Sequence, residues 1–172
     1  MMNLQPTLNG AFFKLSPLNN EDYVELLKAA SDPLIWEMHP QPNRYQPEVF
    51  KLFFAEALAS SGALAIRDQK TSEIIGTSRF YDYSDEKLSV VIGYTFLARH
   101  YWGGAYNKDL KKLMVNYALG FVSTTYFHVG LNNIRSQKAM LKIGGINTGI
   151  QEIAVSYAPP KKSYVYKIDK PL

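Results

Sequence analysis

Apolar residues recur along the chain with two different spacings, which together predict a protein built of helices and strands. Helical spacing predicts one helix that begins near Asn19 and ends at Asp32-Pro33, and a second that begins near Pro47 and ends near Gly62. Shorter apolar runs bounded by turn residues predict seven strands. The predicted strands cover residues 11–16, 63–67, 73–83, 88–97, 126–131, 149–157 and 163–168.

A third helix follows the strand at 88–97, and a short fourth helix is predicted over 134–143. The apolar stripe of the third helix contains Leu110, Leu113, Met114, Tyr117, Ala118 and Phe121. Its other face carries Lys108, Lys111, Lys112 and Asn116, which predicts a solvated surface. The order of elements is strand, two helices, three strands, helix, strand, helix and two strands. This order predicts an α/β or α+β layered sheet in a single domain over residues 1–172.

Composition narrows the functional classes. Hydrophobic residues make up 47% and charged residues 20% of the 172 residues, enough apolar material for a proper core. The chain has no cysteine, which excludes disulfides, cysteine zinc ligands and thiol nucleophiles. Its three histidines share no metal-ligand spacing, so no metal site is expected. No apolar run approaches the roughly 20 residues that span a bilayer, and no signal peptide is evident, so a cytoplasmic location without membrane partners is expected.

The formal net charge of +4 leaves two interpretations open: an anionic ligand or ordinary surface composition. A third class of protein, a nucleic-acid-binding module, is disfavoured because Lys108, Lys111 and Lys112 lack interleaved exposed aromatic residues. No nucleic-acid partner is therefore expected.

The segment 91–121 runs from a buried strand into Trp102-Gly103-Gly104-Ala105 and then into a helix. A loop of small residues that opens a helix lets backbone N–H groups approach an anion, and the helix dipole favours phosphate there. A tight turn that needs glycine only for its dihedral angles explains the loop equally well. The segment matches neither the Walker loop nor the dinucleotide-binding pattern.

A second segment follows the next strand and is closed by glycines. It reads Asn133-Ile134-Arg135-Ser136 and continues to Lys142-Ile143-Gly144. Together with Ile92-Gly93-Tyr94 and Trp102-Gly103-Gly104-Ala105-Tyr106, it resembles the GNAT superfamily of acetyltransferases over nearly the whole chain. The most similar branch is that of the ribosomal-protein N-terminal acetyltransferases.

This resemblance implies a central, mostly antiparallel mixed sheet of about six or seven strands, splayed in the middle and flanked by about four helices. It also implies an acetyl-CoA-dependent N-acetyltransferase in which the amine attacks the thioester directly. The acceptor would be a protein N-terminus, an amino acid or another small amine, and the protein a monomer or homodimer. A non-catalytic acyl-CoA-binding sensor on the same fold is the alternative.

By the same resemblance, the pantetheine arm of acetyl-CoA would pair with the strand at Tyr94–Leu97 as an added strand. Backbone N–H groups of the glycine loop would hold the pyrophosphate. Asn133 would bind the pantetheine arm, and Asn133 also suits the N-cap of its own helix. The residues expected to hold the cosubstrate are Tyr94, Thr95, Phe96, Leu97, His100, Trp102, Gly103, Gly104, Ala105, Tyr106, Asn107, Asn133 and Ser136.

The chain departs from the family pattern at three positions. His100 replaces a common Arg or Gln, and Met140 replaces the Tyr that protonates the leaving thiolate in many relatives. A thiol with a pKa of about 8.5 leaves well even without that acid, and Ser136 is the candidate if an acid is needed. Val91 replaces a frequent Glu, so no general base is evident in the sequence.

No other carboxylate fills the place of that Glu clearly: Glu37, Asp82 and Glu152 are possible bases, each also explained as a surface charge. For the acceptor site, the expected residues are Trp36, Arg44, Tyr45, Arg79 and Tyr81. Packing in the hydrophobic core accounts for the presence of Trp36 and Tyr45 equally well. Arg79, on an otherwise apolar strand, suggests a bidentate contact to a substrate carboxylate.

Overall fold

A computed structural model describes residues 1–103, 105–155 and 158–172. Its strands are β1 (Leu8–Asn9), β2 (Phe13–Pro17), β3 (Ala63–Asp68), β4 (Ile74–Ser84), β5 (Ser89–Leu97), β6 (Thr124–Gly130), β7 (Ile146–Val155) and β8 (Ala158–Ile168). Its α-helices are α1 (Tyr23–Ala30), α2 (Pro47–Ala59), α3 (Tyr106–Ala118) and α4 (Ile134–Lys142). No helix within the described ranges is both long and apolar enough to cross a membrane.

The strands form one sheet in the order β1-β2-β3-β4-β5-β6-β8-β7. Every neighbouring pair is antiparallel except β5 and β6, which are parallel. The mixed, mostly antiparallel sheet with four flanking helices confirms the predicted fold class. The sheet has eight strands over the described residues, rather than six or seven, because β1 adds a two-residue strand against β2. Two residues are too few for any alternating pattern to reveal.

The sheet opens between β5 and β6. The two strands pair only at Ser89–Val91 with Thr124–Tyr126, so the β5 edge from Ile92 to Leu97 has no β6 partner. A bulge lies in this part of β5: two residues separate Gly93 from Phe96, where β4 has one residue between their partners. Tyr94 lies in the bulge with φ of 52°, in the left-handed region that non-glycine residues rarely adopt. The bulge therefore bends β5 away from β6 where the opening begins.

Two hydrophobic layers cover the opposite faces of the sheet. On one face, α3 packs Leu110, Met114, Val115 and Ala118 against strand residues such as Phe80. On the other face, α1 and α2 pack against strand residues including Phe96, and their buried side chains are Leu26, Ala30, Phe50, Phe53, Phe54 and Ala57. Each fully buried large apolar side chain contributes about 1.5–3 kcal/mol relative to exposure. These layers hold the opening between β5 and β6 in a rigid frame.

Side chains cap the helix starts at Asn19 and Asn133, whereas α2 and α3 have no side-chain cap. Asn19, near which the first helix is predicted to begin, forms a capping box with Asp22 before α1. The Asn133 side chain caps α4 by accepting a hydrogen bond from the Ser136 N–H at 3.1 Å. The N-cap of α3 is Ala105, which offers no side-chain oxygen. The first backbone N–H groups of α3 therefore lack a side-chain partner at the cap.

One prediction for the third helix is wrong. Lys111 is buried, although its spacing placed it on the solvated face. Its Nζ donates a hydrogen bond of 3.4 Å to Thr95 Oγ1 and lies 4.7 Å from the centre of the Phe127 ring. Burial lowers the pKa of Lys111 to about 8. Phe121 is exposed because α3 ends at Ala118, before the predicted stripe does.

Candidate active site

Two cavities meet at the opening of the sheet. The first, which we call the helix cavity, encloses about 420 Å³ between Thr95–Leu97 of β5, the Trp102-Gly103 loop, and helices α3 and α4. The second, which we call the strand cavity, encloses about 220 Å³ among β4, β5, β6, β8 and the loop that contains His39 and Arg44. Both cavities are lined by His39, Thr95, Asn107, Ser136 and Ala139. One opening through the sheet therefore connects the two cavities.

The helix cavity suits a large anion. Its charged lining residues are the cations Lys108, Arg135, Lys138 and Lys142, and none of its described lining residues is Asp or Glu. The Arg135 Cζ lies 3.9 Å from the centre of the Trp102 ring, and the Trp102 Nε1 donates to the Leu97 carbonyl at 2.9 Å. These contacts fix the loop that precedes α3.

The start of α3 opens onto this cavity. Gly103 has φ of 71°, and no atom lies within 4 Å of the Cβ that another residue would place there. The glycine is therefore required by its left-handed backbone and not by crowding. The uncapped N–H groups of the first turn of α3, together with Lys108, are suited to bind phosphate.

The unpaired part of β5 forms the wall between the two cavities. The Thr95 hydroxyl lies 2.7 Å from the Ser78 hydroxyl on β4, which fixes the bulge. An extended chain lying along the β5 edge would meet backbone donors and acceptors beyond Val91 that no β6 residue pairs with. The edge therefore suits a ligand with amide groups and an extended shape.

The strand cavity contains a hydrogen-bonded pair that the sequence did not reveal. The Tyr81 hydroxyl on β4 lies 3.1 Å from His128 Nδ1 on β6, across the opening. Burial lowers the pKa of His128 below 6.5, although the nearby Asp82 opposes this shift. Burial also raises the pKa of Tyr81. Near neutral pH, both side chains are therefore uncharged, and His128 can accept a proton.

From the sequence, His128 is one of three histidines that share no metal-ligand spacing, and the sequence predicts no other role for it. The available signal is the alternation of β6, where Thr124, Tyr126, His128 and Gly130 share the half-buried face while the intervening residues are buried. That pattern places His128 on the half-buried face of β6. It does not predict that β4 places Tyr81 beside it.

The residues predicted for the cosubstrate fall into three groups. Most line one or both cavities: Tyr94, Thr95, Phe96, Leu97, Trp102, Gly103, Asn107, Asn133 and Ser136. His100, Ala105 and Tyr106 line neither cavity; His100 lines a separate depression with Asp32 and Glu73, and Tyr106 packs on Phe12. Gly104 lies outside the described residues.

Of the five residues predicted for the acceptor site, two line the strand cavity and three pack elsewhere in the protein. Arg44 and Tyr81 line the strand cavity. Trp36 lies in the core instead, 1% exposed, where its Nε1 donates to the Ala30 carbonyl at 2.8 Å. Tyr45 packs against the same core. Arg79 is buried under the Tyr94 ring, with 4.1 Å between its Cζ and the ring centre.

The alternative bases considered in the sequence lie on the surface. Glu37, Asp82 and Glu152 are all exposed, and none lines either cavity. Among the residues that the structure describes, no group of three or more His, Asp or Glu side chains could hold a metal ion. Tyr81 and His128 therefore form the hydrogen-bonded titratable pair of the strand cavity.

Comparison with known proteins identifies the family. The model of the acetyltransferase (GNAT) domain matches residues 13–146, well over half of the chain. The chain belongs to the GNAT acetyltransferase family. It is therefore an N-acetyltransferase, and transfer of an acetyl group from acetyl-CoA is general in this family. No curated protein sequence matches this GNAT chain at a significant level.

Solved structures share the fold at low identity. A GCN5-related N-acetyltransferase from Brucella melitensis is 16% identical, with 95% of this chain and 78% of that chain covered and a TM-score of 0.80. The microcin C7 self-immunity acetyltransferase MccE, solved with acetyl-CoA and AMP, is 13% identical, with 98% and 99% covered and a TM-score of 0.76. A Vibrio cholerae protein, provisionally described as a ribosomal-protein-serine acetyltransferase, is 12% identical, with 99% and 100% covered and a TM-score of 0.79. At these identities the likeness concerns the fold alone.

Proposed function

We propose that this GNAT enzyme transfers an acetyl group from acetyl-CoA to a primary amine by direct attack within a ternary complex. The observation that carries the proposal is the junction of two cavities at the β5–β6 opening, one lined by cations beside a helix start and the other by the Tyr81–His128 pair. An amine and acetyl-CoA that enter from opposite sides of the sheet meet directly at this junction, so the acetyl group need not be carried on a protein side chain.

The helix cavity is the place for acetyl-CoA. The pyrophosphate lies at the uncapped start of α3, and the pantetheine arm lies along the unpaired edge of Tyr94–Leu97. Backbone N–H groups at this edge polarise the thioester carbonyl as negative charge develops on its oxygen. Asn133 and Ser136, which line the strand cavity beside β5, contact the arm near its sulfur end. His100 is assigned no part, since it lines neither cavity.

His128 serves as the general base. The tautomer that donates from Nδ1–H to the Tyr81 oxygen leaves Nε2 free to take a proton from the attacking ammonium. Tyr81 holds the ring in that orientation. A free ammonium with a pKa of about 10.4 is neutral in only a few molecules per ten thousand at pH 7, so a nearby base matters for its reactivity. Ser136 stays the candidate acid for the thiolate, because Met140 offers no proton.

The motifs favour a peptide or protein α-amine among the possible acceptors. The Ile92-Gly93-Tyr94, Trp102-Gly103 and Asn133…Ser136 segments resemble the branch of ribosomal-protein N-terminal acetyltransferases, and one structural neighbour carries a provisional description of that kind. An α-amine with a pKa of about 8 is also easier to deprotonate than a lysine side chain. An amino acid or another small amine uses the same chemistry.

A thermal-shift titration tests the proposed cosubstrate site first. We expect acetyl-CoA to raise the Tm saturably and more than ATP does, by roughly 5–10 °C at about 100-fold excess over its Kd. Dephospho-CoA, which lacks the 3′-phosphate, separates the contribution of that phosphate from that of the pyrophosphate. No shift at millimolar acetyl-CoA would contradict the proposed site.

Turnover is then measured by thiol release over a broad amine panel. Release that depends on both acetyl-CoA and an amine supports the proposal. Saturable acetyl-CoA binding without turnover of any amine would favour the alternative of an acyl-CoA-binding sensor.

A further inference from the structure

Arg44, which lines the strand cavity, and Arg79, which lies behind the cavity-lining Tyr94, are buried with part of their hydrogen-bonding capacity unused. Arg44 and Arg79 are 8% and 5% exposed. Within the described part of the chain, the Nε atoms of both and the Nη2 of Arg79 have no hydrogen-bond partner. Arg44 does donate from Nη2 to the Gln41 side chain at 2.6 Å. Buried donors without partners are rare in native proteins, and such groups call for a reason.

Aromatic rings surround the two guanidinium groups but do not neutralise them. The Arg44 Cζ lies 4.5 Å from the Phe53 ring centre and 5.2 Å from that of Trp36, while Arg79 stacks on Tyr94. Burial lowers the pKa of Arg44 to about 10, so this side chain remains charged near neutral pH. Ring faces attract a cation, yet they accept no strong hydrogen bond from its edge.

Carboxylates of the chain leave this charge without direct pairing. Glu56 on α2 acts electrostatically on both arginines, but no ion pair joins it to either of them in the described residues. By contrast, Arg67 pairs with Asp22, and Arg99 pairs with Asp32. Among the described residues, carboxylates therefore pair with these exposed or half-buried arginines and with neither of the two buried ones.

The strand cavity as a whole has a single sign of charge. Arg44, Lys111 and Lys161 line it, and none of its described lining residues is Asp or Glu. Lys161 also donates from Nζ to the Pro40 carbonyl at 2.9 Å, which ties the Arg44-containing loop to β8. A cavity of this kind repels polycationic amines and attracts an amine that also carries a negative charge.

We propose that the acceptor amine carries a carboxylate close to its amino group, and that Arg44 and Arg79 recognise this carboxylate. The inference rests on the proposed acetyl transfer and specifies its acceptor. Arg44, which lines the cavity, contacts the carboxylate, Arg79 adds its positive charge from behind the Tyr94 ring, and the amino group lies towards the Tyr81–His128 pair. Free amino acids and peptides with an acidic first residue share this chemistry. Polyamines and aminoglycosides do not.

Matched pairs of acceptors test the inference with the wild-type enzyme. Each pair has the same primary amine: an amino acid and its amide, a dipeptide and its C-terminal amide, and a Glu-initiated peptide amide and its Gln-initiated counterpart. Thiol release with acetyl-CoA gives kcat/KM for each. We expect roughly 10²-fold higher kcat/KM for the acidic member of at least one pair, and no measurable turnover of spermidine. The pair whose two members differ in kcat/KM shows whether the recognised carboxylate is a main-chain carboxylate or that of an acidic side chain.

Substitutions connect the preference to the arginines. Arg44→Gln and Arg79→Gln are expected to raise the KM of the acidic acceptor and to remove most of the preference over the neutral one. Lys51→Gln is the matched control, because it removes one positive charge from the exposed side of α2. It is expected to keep the preference. The acetyl-CoA thermal shift of each variant shows that its fold and cosubstrate site are intact.

Failure of the inference differs from failure of the proposed function. Turnover of neutral amines or spermidine equal to that of acidic acceptors would overturn the inference and leave acetyl transfer intact. Absence of turnover with every amine would count against the proposed function. In that case, Tm shifts by N-acetyl amino acids against their amides, with CoA present, still test the arginines: equal shifts overturn the inference.

Discussion

At the scale of single residues, the site depends on groups that burial keeps uncharged or unpaired. His128 and Tyr81 face each other across the opening, and burial shifts the pKa of each away from its charged form. The same low polarity makes the unpaired donors of Arg44 and Arg79 energetically unfavourable. In the proposed mechanism, burial therefore keeps the proton-transfer pair uncharged and leaves positive charge beside the acceptor.

Substitution of His128, the proposed general base, should change the dependence of the reaction rate on pH. In the wild type, kcat/KM should fall as pH decreases only below pH 6.5, because burial lowers the pKa of His128 and its neutral form is the active one. His128→Gln should reduce kcat by about 10²-fold and abolish this acidic limb. Stopped or continuous thiol-release assays over pH 5–9 measure both effects.

Tyr126→Phe is the matched control for His128, since Tyr126 lies on the same face of β6 outside both cavities. It should leave the profile unchanged. A His128→Gln enzyme with the wild-type pH profile would exclude the histidine as the base.

At the scale of elements, the bulge of β5 positions the pair. A Cβ on Gly93 would lie 3.0 Å from Tyr81 Cε1 and 3.2 Å from its hydroxyl oxygen, so the missing side chain leaves room for the ring. The positive φ of Tyr94 then turns β5 away from β6. A strand irregularity of one residue thus creates both the opening and the place of Tyr81 within it.

Gly93→Ala tests this arrangement. The added methyl group should displace the Tyr81 ring by a few tenths of an ångström and reduce kcat by about 10-fold with little change in the KM for acetyl-CoA. The measurement is a double-mutant cycle with Tyr81→Phe, in which the two losses should not add because both act through the Tyr81 hydroxyl. Additive losses would mean that Gly93 acts on something else.

At the scale of the whole molecule, His39 links the loop between α1 and α2 to both cavities. It lines each of them, and its ring lies 5.1 Å from the centre of the Trp36 ring in the core. Burial, with smaller contributions from Arg44 and Arg135, lowers the pKa of His39 from 6.5 to about 4. A proton on His39 therefore opposes the folded state itself.

Acid should destabilise the protein through this residue. Between pH 6.5 and about 4 the unfolded chain binds a proton at His39 that the folded chain does not, so stability falls as pH decreases through this window. The full effect is about 3 kcal/mol. His128 adds an effect of the same sign. Urea unfolding from pH 7 to pH 4 should show a shallower decline for His39→Gln than for the wild type, and an equal decline would contradict the assignment.

The sequence predicts the fold well because most of its signals are local. The capping box at Asn19, the proline that starts α2 and the alternation of the strands all depend on neighbouring residues. Lys111 breaks this rule: helical spacing places it on the polar face, but the opening of the sheet creates a partly polar interior that accepts it. That interior exists only after β5 and β6 have diverged.

The candidate site is predicted in part for the same reason. Backbone positions such as Thr95–Leu97 and Gly103 follow from the motif, and they line the helix cavity. The Tyr81–His128 pair spans 47 residues of sequence, and no local pattern predicts a contact of that range. Trp36 illustrates the converse, because an aromatic residue in an irregular loop is equally suited to a binding wall and to the core where it lies. The single domain over residues 1–172 stays a prediction.

The short pairing between β5 and β6 has a consequence for the protein without its cosubstrate. Three paired positions on β5 leave an open strand edge in the middle of a sheet, with the same backbone groups that an outer edge presents. Such an edge accepts any extended chain, including a strand of a second molecule, and thereby favours aggregation. The pantetheine arm, bound along this edge, would cover it. Acetyl-CoA would then protect the enzyme from self-association as well as supply the group that it transfers.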